Sequence, residues 1–228
     1  MTNTTMKIHP AVLKIQKLLR KIDDLSLPDS SRQDVERILV RQATRELDDA
    51  LPWQREHGRR TAALALAIGS RIDLSCDALH HLTLASLLHD IGLLGVHAHP
   101  ASRRGYVDSR SYAAIQCHPR IGAQWLEPFR FLRNASVIIA HHHERWDGSG
   151  YPYGLRGTFI PLEARVLSIA DAFDAIQVPE VQNSEIRDRV AYRILKVAAG
   201  TQFDPELVAL CESCLTHAHR EMHFTAPE

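Results

Sequence analysis

Apolar residues recur every three to four positions along most of this chain, the spacing of helices that bury one face. In "AVLKIQKLLRKIDDL" the repeat falls on Leu13, Ile15, Leu18, Leu19 and Ile22. After Pro28 a second pattern starts, with Asp29 to Ser31 as cap candidates and Val35, Ile38, Leu39 and Leu47 as its stripe. "LPWQREHGRRTAALALAIG" carries Pro52 near a helix start and Gly69 near its end. In "SCDALHHLTLASLLHDIG", Ser75 is the cap candidate, and Leu84, Leu87, Leu88 and Ile91 follow the i, i+3, i+4, i+7 spacing. "SYAAIQCHPRIGAQWLEP" and "RNASVIIAHHHERW" read as two further helices. "LEARVLSIADAFDAI" places Val166, Ile169, Ala170 and Phe173 on one face. A last pair covers "EIRDRVAYRILKVAAG" and "DPELVALCESCLTHAH". No run alternates as a strand would, so the expected fold class is all-α. Two loops interrupt the helices: residues 95–108, and "DGSGYPYGLRGTFIP".

Composition narrows the function classes. The chain has 228 residues, 27 Lys plus Arg and 27 Asp plus Glu. Zero formal charge gives no general pull toward duplex nucleic acid or an anionic membrane. No apolar run approaches the roughly 20 residues that span a bilayer. The N-terminal stretch lacks the apolar centre of a secretory signal, so a cytoplasmic location is expected. Four cysteines, Cys76, Cys117, Cys211 and Cys214, are too sparse for a disulfide framework in a chain of this length.

The informative residues are the 14 histidines. His89-Asp90 ends one apolar helix, His142-His143 ends another, and Asp171 follows "VLSIA" directly. An unpaired carboxylate at such a buried place is costly. A metal ion answers all three cases at once, neutralising the carboxylates and using the imidazoles as donors.

His89-Asp90 together with "HHERWDGSGYP", His142 to Pro152, resembles the HD-GYP branch of the HD phosphohydrolase superfamily. The resemblance runs from about His57 to Val208. It implies an HD-type helical bundle over residues 46–228, preceded by a helical segment over 1–45. It also implies a phosphodiesterase that hydrolyses cyclic di-GMP to the linear dinucleotide pGpG or to GMP, with protein partners from that signalling pathway. Matched residue by residue, His57, His89, Asp90, His118, His142, His143 and Asp171 would be the metal ligands. His89 and Asp90 would form the catalytic pair, with Asp90 bridging two divalent ions. Iron or manganese is expected, with zinc, magnesium, nickel or cobalt as alternatives. Gly150, Tyr151, Pro152 and Arg145 would face the substrate. Glu144 and Asp174 would orient a ligand or add one.

The chain departs from that family in three places. Leu93 stands where the family carries a lysine. The basic stretch that usually follows the last aspartate is replaced by "VPEVQNSE", Val178 to Glu185. The loop after the pair reads "HAHPASRRGY". Arg103, Arg104, Arg145 and Arg156 are the substitutes on offer. Some family members hold a third ion through a glutamate one helical turn before the first histidine. That place here is Trp53, so two ions are expected, with an indole wall beside them. Finally, Cys211, Cys214, His217, His219 and His223 have a zinc-like spacing, but the segment reads better as the end of a helix.

Overall fold

The computed structural model describes residues 8–24, 29–96, 109–176 and 183–211. The fold is all-α, with no strand among the described residues beyond a single bridge between Ala199 and Phe203. Helices α1 (Pro10–Asp24) and α2 (Asp29–Ala50) pack on each other. Helix α3 (His57–Arg71) lies between α4 (Cys76–Leu88) and α8 (Leu162–Ala175). Helices α5 (Ser109–Ile115), α6 (His118–Leu126) and α7 (Arg133–His141) follow, and α7 packs on both α4 and α6. The described part closes with α9 (Ser184–Val197) and α10 (Pro205–Leu210).

One apolar cluster runs through the bundle. It takes Ile15, Leu19 and Ile22 from α1, Val40, Ala43 and Leu47 from α2, and Val166, Leu167, Ile169 and Phe173 from α8. The N-terminal helices therefore share the core of the rest, and residue 45 lies inside the continuous helix α2. The stripe expected on α2 meets the core at Leu39 and Leu47 but not at Ile38. Ile38 is 62% exposed, while Val40 and Ala43 face inward. Gly69 lies near the end of α3, as expected, two residues before Arg71; a side chain there would meet Leu79 and Leu82 of α4. Ser75 does cap α4, accepting a hydrogen bond from the Ala78 amide.

Three breaks in helices expected to be continuous decide where the chemistry sits. Helix α4 stops at Leu88, and His89–Gly95 tightens into a 3-10 segment. The helix expected over 111–128 is divided, and α6 restarts at His118 with Pro119 in its first turn. Pro119 has no N–H to give the Ile115 carbonyl, so a continuous helix is interrupted here, whereas the first turn of a new helix tolerates it. Helix α7 ends at His141 rather than running on to Trp146. Leu88 and Ile91 flank the His89-Asp90 pair and are fully buried, contributing about 1.5–3 kcal/mol each. Between them and α6 there is no room for a side chain. A Cβ on Gly92 would lie 2.0 Å from the His118 carbonyl oxygen and 2.7 Å from the Gly122 nitrogen. Backbone against backbone at Gly92 brings the pair up to His118.

Candidate metal centre

Each histidine at a break meets the open end of a helix. The last four carbonyls of an α-helix have no partner within it. His89 Nδ1 donates to the Ser86 carbonyl at 2.8 Å, His118 Nδ1 to that of Ile115 at 2.8 Å, and His142 Nδ1 to that of Ile139 at 2.7 Å. All three carbonyls lie in the final turn of α4, α5 or α7. The bond fixes the tautomer, because the nitrogen opposite a donating Nδ1–H keeps its lone pair. His57 opens α3 instead of closing a helix; its Nδ1 donates to Asp174 Oδ2 at 2.7 Å.

The free nitrogens converge in three groups of donor atoms: His57, His89 and Asp171; His118, His142 and His143; and His89, Asp90 and His142. Asp90 lies between the first two. Its Oδ2 is 3.3 Å from His89 Nε2, and its Oδ1 is 3.5 Å from His118 Nε2. All seven expected ligands are thus brought together.

Two features fit a cation here. His89 Nε2 is buried and makes no well-aligned hydrogen bond, yet faces two carboxylates, Asp90 at 3.3 Å and Asp171 at 3.7 Å. His118 Nε2 and His142 Nε2 face each other at 3.3 Å, although both rings already donate through Nδ1. Two lone pairs in that position repel unless a positive charge stands between them. The donors are nitrogen and oxygen only, a set suited to iron(II), manganese(II) or zinc.

Titration behaviour follows the same geometry. Burial pushes the His143 imidazole down to about 4, against the pull of Asp171 and Asp90. Burial also holds His142 well below the usual histidine range and lowers His118. These three are neutral donors at pH 7. Burial would lower His57 too, but hydrogen bonds to Asp171 and Asp174 outweigh it and raise the group to about 9. A proton between His57 Nε2 and Asp171 Oδ1, 3.0 Å apart, occupies the place of a cation. Burial opposes the ionised form of Asp90 and Asp171, yet neighbouring imidazoles hold both carboxyls below their ordinary range.

The glycine-rich loop closes one side of this cluster. Glu144 is buried and accepts from the Tyr153 amide at 2.7 Å and the Leu155 amide at 2.9 Å, so it shapes the loop rather than reaching the donors. Gly150 passes so near the chain that a Cβ would lie 2.3 Å from the Arg145 nitrogen. This turn sets the Tyr151 ring 5.0 Å from the His143 ring. Burial, with Tyr112, Asp171 and Asp90 nearby, raises the Tyr151 phenol far above its usual value. Arg145 is engaged inside the loop, donating to Ser149 Oγ at 2.9 Å and Gln202 Oε1 at 3.0 Å. His141 turns away and packs on Tyr153.

Leu93 packs partly buried against the core. Trp53 is not one helical turn before His57. It belongs to a separate 3-10 turn, Pro52–Gln54, and is 53% exposed, because Glu56 adopts a left-handed backbone before α3 begins. The expected wall is therefore replaced by an open surface turn. Glu56 pairs with Arg59 instead of entering the cluster. Arg103, Arg104, Cys214, His217, His219, His223 and most of the Val178–Glu185 stretch lie outside the described residues. Two partners escaped the sequence reading. Gln202 ties down the loop, and Arg60 grips Asp174. The signal for Arg60 was its place three residues after His57, on the same helix face.

A family model described as HD domain matches residues 41–207. The chain is 33% identical over 151 residues to the cyclic di-GMP phosphodiesterase response regulator RpfG of Xanthomonas campestris pv. campestris, covering 65% of this chain and 40% of that protein. It is 34% identical over 153 residues to 3'3'-cGAMP-specific phosphodiesterase 2 of Vibrio cholerae, covering 61% and 29%. The chain thus spans less than half the length of both. Among solved structures, a cyclic GMP-AMP specific phosphodiesterase of V. cholerae superposes with TM-score 0.59 at 25% identity, over 75% of this chain and 46% of that one. An HDG"Y"P protein from Bdellovibrio bacteriovorus superposes with TM-score 0.60 at 18% identity, over 94% and 74%, a likeness of fold alone.

Proposed function

Since the chain belongs to the HD domain family and is related to cyclic di-GMP phosphodiesterases, we propose that it is a metal-dependent phosphodiesterase that cleaves cyclic di-GMP to pGpG or GMP. The observation that carries this reading is the placement of Asp90 between two sets of donors, one oxygen toward each. His57, His89 and Asp171 would hold one divalent ion, iron or manganese, and His118, His142 and His143 the other. Held there, such a pair of ions would supply an activated water and positive charge beside the scissile phosphodiester.

The remaining tasks fall to the protein. Asp90 and Asp171 stay ionised and balance the cations. Three backbone carbonyls and Asp174 keep the His89, His118, His142 and His57 imidazoles turned toward the centre. Tyr151, protonated at neutral pH, offers its hydroxyl to a phosphate oxygen, and Gly150 and Pro152 hold that ring in place. Glu144 acts through the loop.

The test is product formation by purified protein loaded with iron or manganese. Cyclic di-GMP and 3'3'-cGAMP are supplied separately, with products separated by chromatography. Cleavage of cyclic di-GMP is expected, and absence of cleavage of either dinucleotide would refute the reading. One observation favours a slower variant. Leu93 packs against the core where the family places a cation, and Arg145 is engaged in its own loop. On that second reading the centre holds metal and nucleotide, cleaves weakly, and acts through protein partners.

A further inference from the structure

His57 differs from its neighbours in how it is held. His89, His118 and His142 each use a carbonyl left open at a helix C-terminus. His57 stands at the beginning of α3, where the open backbone groups are N–H donors. No backbone acceptor is at hand for its Nδ1–H. The acceptor is supplied by Asp174, one helical turn after Asp171 on α8. Asp174 is in turn clamped from α3. Arg60 Nε donates to its Oδ1 at 2.6 Å, and Arg60 Nη2 donates to its Oδ2 at 2.9 Å. This forked contact sets the plane of the carboxylate, which a single bond would not. The Asp174 side chain is 1% exposed, and both of its oxygens are turned to His57 and Arg60. It belongs to none of the three groups of converging donors.

We propose that Asp174 and Arg60 are positioning residues of the metal centre. They fix the His57 ring with Nε2 toward Asp171 and Asp90, and Asp174 is not itself a ligand. The pair does for His57 what a helix end does for the other three. It also ties α3 to α8, so the two elements that supply His57 and Asp171 move as one body. This inference rests on the metal-binding part of the proposed function and not on hydrolysis.

The experiment measures manganese affinity by competition with a chromophoric chelator, manganese content at saturation, and the nitrogen NMR spectrum of His57. Asp174→Ala is expected to weaken the affinity of one ion roughly 10–100-fold, with content at saturation unchanged. The other ion should keep its affinity. In the metal-free variant His57 should lose the protected, strongly shifted Nδ1–H resonance that its bond to Asp174 gives. Arg60→Ala should give the same change in smaller degree, and added methylguanidinium should restore part of it. Arg60 is 38% exposed in its side chain, so this variant carries the test if Asp174→Ala does not fold. Loss of a whole ion at saturation in Asp174→Ala would make Asp174 a ligand and overturn the proposal. Unchanged affinity beside a lowered melting temperature would reduce the pair to a structural brace, and would overturn it too. A protein that holds manganese as described but cleaves no dinucleotide refutes the hydrolytic reading alone.

Discussion

Gly92 offers the sharpest test of how the fold sets the metal centre. Replacing it with alanine adds one carbon, whose position would be 2.0 Å from the His118 carbonyl oxygen. Real contacts of this kind stop near 3.0 Å, so the 3-10 segment and α6 must part by about 1 Å. Forced overpacking of this kind costs about 1–3 kcal/mol. In a chain of this size each kcal/mol is worth about 2–4 °C in Tm, so a fall of roughly 2–12 °C is expected. Metal binding should suffer more. Asp90 and His118 sit on opposite sides of the new contact, and ligand distances tolerate only about 0.2 Å. The ion between them should be lost, while the ion held by His57, His89 and Asp171 stays. The assay is manganese content per chain by elemental analysis beside a melting curve. Gly122→Ala is the milder control, since its Cβ would lie 3.3 Å from the nearest atoms. Full metal content in Gly92→Ala with an unchanged Tm would refute the claim that this backbone contact sets the spacing of the ligands.

Asp90→Ala should remove most bound metal and lower stability by about 1–3 kcal/mol, because His89 and His118 lose their shared partner; elemental analysis and calorimetry decide, and normal metal content would take Asp90 out of the site. Leu93→Lys should raise kcat/KM for cyclic di-GMP tenfold or more, since a charge-assisted contact to phosphate is worth about 1.5–3 kcal/mol; no gain in steady-state kinetics would show that other groups already meet the phosphate. The metal-free protein should lose stability as pH rises. His57 is raised to about 9 from an ordinary 6.5, so its contribution is complete below pH 6.5 and is lost through pH 9. The metal-loaded protein should not show this loss, and a metal-free Tm that is flat from pH 6.5 to 9 would count against the His57–Asp171 proton.

Much of the centre was legible because its ligands are local in sequence. His89-Asp90 and His142-His143 are adjacent residues, and a helix placing Asp171 beside the core is visible from Val166, Ile169 and Phe173. What the pattern could not give were the breaks. Helical periodicity carries on across Leu88, Cys117 and His141, whereas α4 stops at Leu88, α5 at Ile115 and α7 at His141. At Cys117 the reason was readable, since Pro119 follows. At Leu88 it was not, because the reason is a long-range contact between Gly92 and α6. The turn before His57 was misjudged for a similar cause. Nothing local requires Glu56 to take a left-handed backbone; its amide reaches Asp48 on α2. The inner face of α2 was only partly legible, at Leu39 and Leu47, because buried Glu36 and Thr44 share it with Val40 and Ala43, which blurs the apolar stripe.

The helix ends that hold His89 and His142 also carry an electrical consequence. Helices α4 and α7 aim their C-termini at the same point, and each such end bears roughly half a negative elementary charge. Asp90 and Asp171 add to that field. Before cations enter, protons on His57 and His89 offset this charge. Loading with metal must therefore expel protons, so uptake should acidify an unbuffered solution and weaken as pH falls.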